Sequence, residues 1–364
     1  MSSRWSFAHT TGAQAWRELA AEWQDLADRL GDPLYFQQPH WFEAYLQICD
    51  RPDDLIWLTA REGGRLCAVL PVQRMVKRLG PLKVSELRLI NHGHMTLADV
   101  CCAHESAELW RAWWHWLNSS AAPRWDRIAV RHTPSDSVWS EWMRDFAPAH
   151  SLSSVASSSA RTDCRRTLDD LLKACSAKHR SNLSRGRKRA EVVGPLRYEH
   201  ARTVEELARV FPTFLAIESS GWKGEAGSAV ASNPKVLKFY ETLLAGFGPR
   251  QGCEIDVLYV GERPVASVMW LRTAREIHLQ KIGYVQELAD ASPGKLLMRE
   301  AFARACADPT LDRLCFITHP DWADPWIPES NPVLEYSLFR EGLWGGMLWR
   351  LTKYRRRMQE KARD

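Results

Sequence analysis

The chain has 364 residues, of which 45% are hydrophobic and 26% are charged, and its formal net charge is +5. This length exceeds what one hydrophobic core usually organises, and the balanced composition excludes a disordered, collagen-like or coiled-coil protein. We therefore expect a folded α/β protein with an N-terminal domain at residues 1–160, a second domain at residues 161–345 and a basic C-terminal helix at residues 346–364.

The nine cysteines form neither a CxxC pair nor a zinc-finger spacing with histidines, so we expect no metal. An odd number of cysteines in apolar segments predicts buried free thiols, which are typical of a reducing compartment. The N-terminus lacks the apolar run of a signal peptide, and no stretch of about 18 apolar residues occurs. These features predict a cytoplasmic protein without a membrane span.

Tryptophan and basic residues are unevenly distributed. Of 18 tryptophans, 12 precede residue 150, where core packing and the domain interface are their commonest explanation. Residues 173–189 contain seven Lys or Arg and no acid, and residues 350–357 add five more. Such segments attract the phosphates of a coenzyme, a nucleic acid or a membrane surface, although a solvated helix face has the same pattern.

Helices, then strands, are predicted for the first half of the chain. Apolar residues at helical spacing indicate helices at 13–30 and 39–49. Four strand-like runs follow, at 55–60, 65–76, 85–90 and 96–101. A helix at 105–117, a strand at 127–132 and a helix through Trp139 and Trp142 complete this half. Residues 151–160, rich in Ser and Ala, are interpreted as a domain connection or an edge strand.

The second half repeats this order. The basic helix at 177–192 precedes a strand at 196–199 and two helices at 203–219 and 234–245, the first of which opens with a capping box at Thr203. Three strands follow at 254–260, 264–272 and 276–284, and then a helix at 293–307 and a strand at 313–318. Each half therefore contains helices, an antiparallel meander, a helix and a strand.

Three segments of the second half carry a family resemblance. They are Glu218-Ser-Ser-Gly-Trp-Lys-Gly-Glu225, the pair Lys281-Ile-Gly-Tyr-Val-Gln-Glu287 and Ala291-Ser-Pro-Gly-Lys-Leu-Leu297, and Ala177-Lys-His-Arg-Ser-Asn-Leu-Ser-Arg185. With the element order, they resemble the GCN5-related N-acyltransferase (GNAT) superfamily, and within it the tandem-GNAT proteins of the CelD/BcsL type, associated with cellulose and exopolysaccharide biosynthesis. The resemblance covers residues 165–340 well. It implies two tandem GNAT-like domains, each a mixed, mainly antiparallel sheet flanked by helices.

The resemblance also implies the reaction and the donor site. It implies transfer of an acyl group, expected to be acetyl, from acyl-CoA to an amine of a small molecule or saccharide, bound in a groove between the domains. GNAT proteins bind the coenzyme pyrophosphate at a helix N-terminus, where backbone N–H groups face the anion. The cofactor-binding candidates here are Ser292, Gly294, Lys295, Leu296 and Lys281. The family motif is Arg/Gln-x-x-Gly-x-Gly/Ala, and this chain departs from it with Ala at 289 and Ser at 292.

Acyl transfer to an amine needs a base and a proton donor. An amine with a pKa near 10 is neutral in only about one part in a thousand at pH 7, so a nearby carboxylate, His or water chain is expected. Glu225 is preferred as the base over Glu218, both being placed in a loop between helices, although surface carboxylates of a mobile loop would look the same. Many GNAT enzymes protonate the departing thiolate with a Tyr that residues 318–326 lack. His319 and Tyr284 are the candidates here.

Four further residues are candidates for substrate binding. Trp222 could stack on a sugar, adenine or base, and Lys223 could hold a phosphate or carboxylate of the acceptor. Trp322 lies in a second motif-bearing segment, and Asp99 is expected to line the groove between the domains.

Two other functions fit the same residues. Fem-type peptidyltransferases are also double GNAT domains, but they take an aminoacyl group from charged tRNA, and the two basic segments could contact an RNA backbone. Alternatively, the chain is a non-catalytic GNAT scaffold that binds a partner or carrier protein through its tryptophan-rich first domain.

Overall fold

The structure is a computed structural model that describes residues 4–103, 107–220 and 229–361. It separates into two compact units. Unit 1 comprises Met1–Pro39, Asp50–Ser158 and Asn331–Asp364, and unit 2 comprises His40–Cys49 and Ser159–Ser330. No helix in the described ranges combines the length and the apolar character that a membrane crossing needs.

The helices and strands are numbered here in chain order. The helices are α1 (Gly12–Arg29), α2 (Pro39–Ile48), α3 (Ala107–Leu117), α4 (Val138–Asp145), α5 (Leu168–Ala174), α6 (Ala177–Val193), α7 (Val204–Ser219), α8 (Pro234–Phe247), α9 (Pro293–Ala307) and α10 (Leu343–Lys361). The strands are β1 (Trp5–Thr11), β2 (Leu55–Glu62), β3 (Arg65–Leu79), β4 (Leu82–Leu89), β5 (Cys101–Cys102), β6 (Arg127–Pro134), β7 (Ser151–Asp163), β8 (Leu196–Ala201), β9 (Cys253–Val260), β10 (Arg263–Arg272), β11 (Glu276–Tyr284), β12 (Arg313–Phe316) and β13 (Glu329–Phe339).

Unit 1 is built on a mixed sheet with the strand order β1-β2-β3-β4-β6-β13, followed by the start of β7. Neighbouring strands are antiparallel from β1 to β4 and between β6 and β13, whereas β4 and β6 are parallel. Five fully buried tryptophans of α3, α4 and the loop before β6 fill its core. The rings of Trp110 and Trp142 stack with centroids 5.8 Å apart. Core packing therefore explains the tryptophan-rich region.

Unit 2 contains the second mixed sheet, in the order β7 (its last residues)-β12-β11-β10-β9-β8. Its pairs are antiparallel except β11 and β12, which are parallel. Helices α6, α7 and α9 pack on this sheet, and a buried cluster that includes Trp270, Phe302 and Trp326 forms the core. Helix α2 also belongs to unit 2, where Trp41 contacts Phe239 edge to face. The predicted fold class, mainly antiparallel sheets flanked by helices, is confirmed.

Several element predictions need correction. The strand predicted at 96–101 is wrong, because residues 96–100 form no ladder and only Cys101 and Cys102 pair with β3. Its apolar residues are nevertheless buried. The Ala98 N–H donates to the His132 carbonyl. The sequence prediction also missed strands β1 and β13. Residues 151–160 form a strand, but it is not an edge strand, because β7 lies between β13 and β12 in the strand order. All nine cysteines are free, as predicted.

Candidate functional site

The candidate site of unit 2 lies where two parallel strands stop pairing. Strand β11 pairs with β12 up to His278 opposite Cys315, and then continues alone on that side to Tyr284. The chain turns back at Ser292, which adopts a left-handed conformation with a φ of 51°, and Pro293 begins helix α9. Proline suits this first position because a first-turn N–H has no acceptor inside the helix. The predicted strand, turn and helix start are therefore confirmed.

A cavity of about 550 Å³ opens at the start of α9. Ser292, Gly294 and Lys295 line it from the helix. The other lining residues come from α7, β11 and the segments that follow β11 and β12, and they are Ile217, Glu218, Ile282, Gly283, Tyr284, Gln286, Ala289, Pro293, Met298, Trp322 and Trp326. Six of the predicted site residues thus line one cavity, which has the size of a small-molecule site.

Helix α6 packs against the turn that precedes α9. A Cβ on Gly186 would lie 2.6 Å from the carbonyl oxygen of Ala291, so only glycine allows this close approach. The Arg189 guanidinium donates to the carbonyl of Asp290 over 2.8 Å, and Leu183 is buried in the core. One face of the basic helix therefore has a structural task, which is to hold the turn that precedes α9.

His179 of α6 extends this support to the cavity wall. Its ring meets Trp326 edge to face, with centroids 4.5 Å apart. Burial, with the nearby Lys295 charge, lowers the pKa of His179 and so favours the neutral imidazole. Its Nε2 is buried and finds no hydrogen-bond acceptor or donor among the residues described. Sequence reasoning missed His179 and Trp326, because their contact joins segments about 150 residues apart.

Glu218 is held rigidly at the edge of the cavity. It belongs to the last turn of α7 and is 1% exposed, so placing it in a loop was wrong. Its Oε1 lies 3.1 Å from the Lys281 Nζ, and its Oε2 accepts from the Val230 N–H over 2.8 Å. Gly283 of β11 permits this arrangement, since a Cβ there would lie 2.9 Å from the Cα of Glu218. The predicted cofactor ligand Lys281 is thus the ion-pair partner of Glu218.

The two candidate proton donors occupy different surroundings. Tyr284 lines the cavity, and its Cδ1 lies 3.5 Å from the position that a Cβ on Gly294 would take. The phenol is therefore beside the start of α9. His319 is not among the residues that line the cavity, and its Nε2 lies 2.9 Å from the Asp324 Oδ1. The geometry brings Tyr284, and not His319, to the cavity.

The remaining predicted residues lie away from the cavity or outside the described ranges. Leu296 is buried in the unit 2 core. Trp222, Lys223 and Glu225 fall in residues 221–228, which lie outside the described residues.

Asp99 belongs to unit 1 and is almost fully buried. Its carboxylate accepts from the N–H groups of Val138 and Trp139, at 3.1 and 3.0 Å, and from the Gln37 amide. Burial raises the pKa of Asp99 to about 7. These contacts give Asp99 a structural task at the N-terminus of α4.

One buried trio of unit 2 has the side chains of a metal site. Glu276, His278 and Cys315 bring their ligand atoms within 4.8 Å of one another. The Cys315 thiol donates to the Glu276 carboxylate over 3.5 Å, and Arg313 binds the same carboxylate over 3.1 Å. Burial lowers the pKa of His278 to about 4. The trio is therefore already linked internally, and it does not line the cavity.

The chemistry of the cavity follows from its walls. The N-terminus of α9 and the Lys295 ammonium attract an anionic group, since the helix dipole and a nearby cation both favour negative charge. The Glu218 carboxylate can accept a proton, and the Tyr284 phenol can donate one. Tryptophans and aliphatic side chains supply most of the remaining surface. The cavity therefore suits a ligand with an anionic end and an apolar part.

One family model matches the part of the chain that contains most of this site. Residues 177–324 match the family model described as an acetyltransferase (GNAT) domain. The match begins at α6 and runs past β12, so it includes the turn, the start of α9 and Glu218. No curated protein sequence matches the chain.

Three solved structures share the fold over nearly the whole chain. The chain is similar to FemX, with a TM-score of 0.57 and 10% identity over 95% of this chain and 99% of that one. It is similar to the C-terminal domain of a putative lysylphosphatidylglycerol synthetase from Agrobacterium fabrum, with a TM-score of 0.53 and 13% identity over 93% and 96%. It is also similar to L-PGS from Bacillus licheniformis, with a TM-score of 0.53 and 13% identity over 95% and 98%. Residues 177–324 therefore match a GNAT acetyltransferase domain, and the whole chain shares its fold with these three structures.

Proposed function

We propose that the protein is an N-acyltransferase that binds an acyl-CoA donor, with acetyl as the expected acyl group, in the cavity of unit 2. The observation that carries this proposal is the convergence of Ser292, Gly294 and Lys295 with Glu218 and Tyr284 around one cavity. The acceptor is an amine, and the CelD/BcsL resemblance favours a saccharide of polysaccharide biosynthesis.

The donor's pyrophosphate is assigned to the start of α9. First-turn N–H groups have no acceptor within the helix and therefore point at a bound anion. An anion at a helix N-terminus gains about 0.3–1 kcal/mol, and a hydrogen bond to a charged group gains about 1.5–3 kcal/mol. Lys295 adds that charge. These interactions together account for about a twentyfold to several-hundredfold preference for the anionic ligand.

The acyl transfer step is assigned to side chains on either side of this anchor. The acceptor amine attacks the thioester carbonyl after losing a proton, and the amide bond forms as the carbon–sulfur bond breaks. Glu218 is the described carboxylate that lines the cavity, and it takes the amine proton directly or through water. Tyr284 gives a proton to the departing thiolate. Glu225 remains the other candidate for the base.

Isothermal titration with CoA and acetyl-CoA tests donor binding. We expect a saturable heat for the wild type and about tenfold weaker binding for Lys295→Gln, because that variant lacks one charge-assisted hydrogen bond. Lys238→Gln is the matched control, since Lys238 is an exposed lysine of α8 that pairs with Glu241. Absence of heat and of a thermal shift at millimolar coenzyme would refute the donor assignment.

An aminoacyl donor carried by tRNA is the second candidate, and the exposed side of α6 favours it. Lys178, Arg185 and Lys188 are exposed there, on the helix whose other side holds the turn before α9. A phosphate backbone running along α6 would therefore carry a donor towards that turn. The structural likeness to FemX fits this candidate at the level of the fold.

Salt-dependent binding of charged tRNA separates the two candidates. If tRNA is the donor, affinity falls steeply with salt, and changing Lys178, Arg185 and Lys188 to Gln reduces the slope of log K against log salt by about 0.7–0.9 for each phosphate that the variant no longer neutralises. Aminoacyl-tRNA is then consumed in the presence of an amine. Undetectable tRNA binding at low salt removes this candidate and leaves acyl-CoA.

A further inference from the structure

A second pocket, in unit 1, is lined by arginines. Its volume is about 300 Å³. Arg127 and Arg131 line it from β6, and Arg355 and Arg356 line it from α10. Glu335 of β13 is the one carboxylate among its described lining residues. Four guanidinium groups and one carboxylate line the pocket, and the buried Glu86 pairs with Arg127, so the interior keeps a positive charge that attracts anions.

The regular geometry of two elements brings these arginines together. Side chains at every second position of a strand share one face, so Arg127 and Arg131 project to the same side of β6. On α10, Thr352, Arg355, Arg356 and Gln359 have the i, i+3, i+4, i+7 spacing of one helix face, and all four line the pocket. Strand and helix thus present two arginines each to the same space.

Hydrophobic packing keeps α10 in this position. Leu348 is fully buried in a cluster with Val84 and Phe339 of the unit 1 strands. The Trp349 indole N–H donates to the Ser151 carbonyl over 3.1 Å. The arginine face of the helix is therefore placed by its own apolar neighbours.

The hydrogen bonds leave part of this arginine set available to a ligand. Arg127 donates from Nε to the buried Glu86 over 2.8 Å, and Arg356 donates to the Ser337 hydroxyl over 3.4 Å. Arg131 and Arg355 form no ion pair with any residue that the structure describes. Two positioned and two available guanidinium groups around a small polar space match the several oxygens of a phosphate group.

We propose that this pocket, defined by Arg127, Arg131, Arg355 and Arg356, binds the phosphate group of a small phosphate ester or of a lipid headgroup. The volume suits a phosphate with a few further atoms, and it is far smaller than a nucleic-acid duplex. The lipid source is suggested by α10, which exposes Trp344, Met347, Leu351 and Tyr354 beside its basic residues. Basic helices with exposed apolar and aromatic residues bind anionic membrane surfaces.

Titrations in a Lys295→Gln background test this pocket, because that change weakens phosphate binding at α9 of unit 2. The probes are inorganic phosphate, glycerol 3-phosphate, and vesicles of phosphatidylglycerol or phosphatidylcholine at constant ionic strength. We expect phosphate-dependent binding that weakens about tenfold in Arg131→Gln and in Arg355→Gln, and about a hundredfold in the double variant. Arg78→Gln, which removes the same charge from an exposed position of β3, leaves binding unchanged.

The probes also separate the two sources. Tight binding of glycerol 3-phosphate without vesicle binding supports a soluble ester. Binding to phosphatidylglycerol vesicles that the double variant loses supports a lipid headgroup. The proposal is overturned if neither phosphate compounds nor vesicles bind, or if the double variant binds them as the Lys295→Gln background does.

Discussion

The starts of α4 and α9 show two treatments of a helix N-terminus in one chain. In unit 1, the Asp99 carboxylate accepts from two N–H groups of α4, and the Ser137 hydroxyl accepts from a third. In unit 2, α9 starts from Ser292 without a side-chain cap and opens on a cavity of about 550 Å³. The first helix start is capped by an acid of the chain itself, and the second is uncapped at the cavity where we propose that an anion binds.

This difference separates a stabilising acid from a candidate binding site, and both features were candidates for function in the sequence. A buried carboxylate that satisfies backbone donors contributes to folding but has no access to a ligand. An uncapped helix start costs stability, and the cost is recovered when an anion binds.

The largest expected effect concerns Asp99 at the start of α4. The pKa of Asp99 in the folded chain is about 7, above its value of about 3.9 in an unfolded chain. The folded state therefore binds the proton between these values, and the contribution of Asp99 to the free energy of unfolding is greatest below pH 4 and decreases as the pH rises to 7. We expect a decrease of about 4 kcal/mol relative to Asp99→Asn, at about 1.36 kcal/mol per pKa unit.

Urea unfolding of both proteins at pH 4, 5, 6 and 7 measures this difference. Parallel pH profiles for the wild type and Asp99→Asn would show that Asp99 is already ionised in the folded chain. The start of α4 would then be capped by an ionised carboxylate and not by a protonated one.

The next largest effect is expected where helix α6 supports the turn before α9. Gly186→Ala places a Cβ 2.6 Å from the Ala291 carbonyl, so the turn before α9 must shift. We expect a loss of about 1–3 kcal/mol in unfolding free energy, which is typical of overpacking, and weaker donor binding. The matched control is Gly294→Ala, whose Cβ meets the Tyr284 ring at an ordinary 3.5 Å. Equal stability of both variants would contradict the support assigned to α6.

A smaller effect is expected from the phenol of Tyr284, which lines the cavity. Tyr284→Phe retains the ring beside α9 and removes the phenol, so kcat falls while KM for the donor stays unchanged. A fall of about a hundredfold is typical of a missing general acid. The steady-state assay measures free thiol release, and His319→Ala is the comparison variant. Greater loss in His319→Ala than in Tyr284→Phe would reverse the assignment.

The smallest expected effect is a gain of stability at the turn. Ser292 has a φ of 51°, a region that glycine adopts without steric cost. Ser292→Gly should raise the unfolding free energy by up to about 1 kcal/mol, because the relieved strain exceeds the added chain entropy. Thermal unfolding checks this, and a lower melting temperature would show that the serine side chain stabilises the turn.

Local signals made much of unit 2 predictable. The capping box at Thr203, the proline at the start of α9 and the hairpin-linked strands β9 to β11 depend on neighbouring residues, and they were predicted almost to the residue. The approach of Gly186 to Ala291 and the contact of His179 with Trp326 were not predictable, because they join residues distant in sequence.

The same distinction explains the errors in unit 1. Residues 96–100 are apolar enough for a strand, but Asp99 among them accepts hydrogen bonds from the N-terminus of α4, about 40 residues later. The arginines of β6 and α10 are more than 220 positions apart, so only the fold brings them together. The sequence shows the basic segment at 350–357, but it does not show that arginines of β6 line the same pocket.

A crystal structure with bound acetyl-CoA tests the central claim most directly, because it shows which groups contact the pyrophosphate. The account predicts pyrophosphate oxygens within hydrogen-bonding distance of the backbone N–H groups at Gly294 and Lys295, with the thioester between Glu218 and Tyr284. Coenzyme bound elsewhere in the chain, or an empty α9 N-terminus at saturating acetyl-CoA, would contradict it.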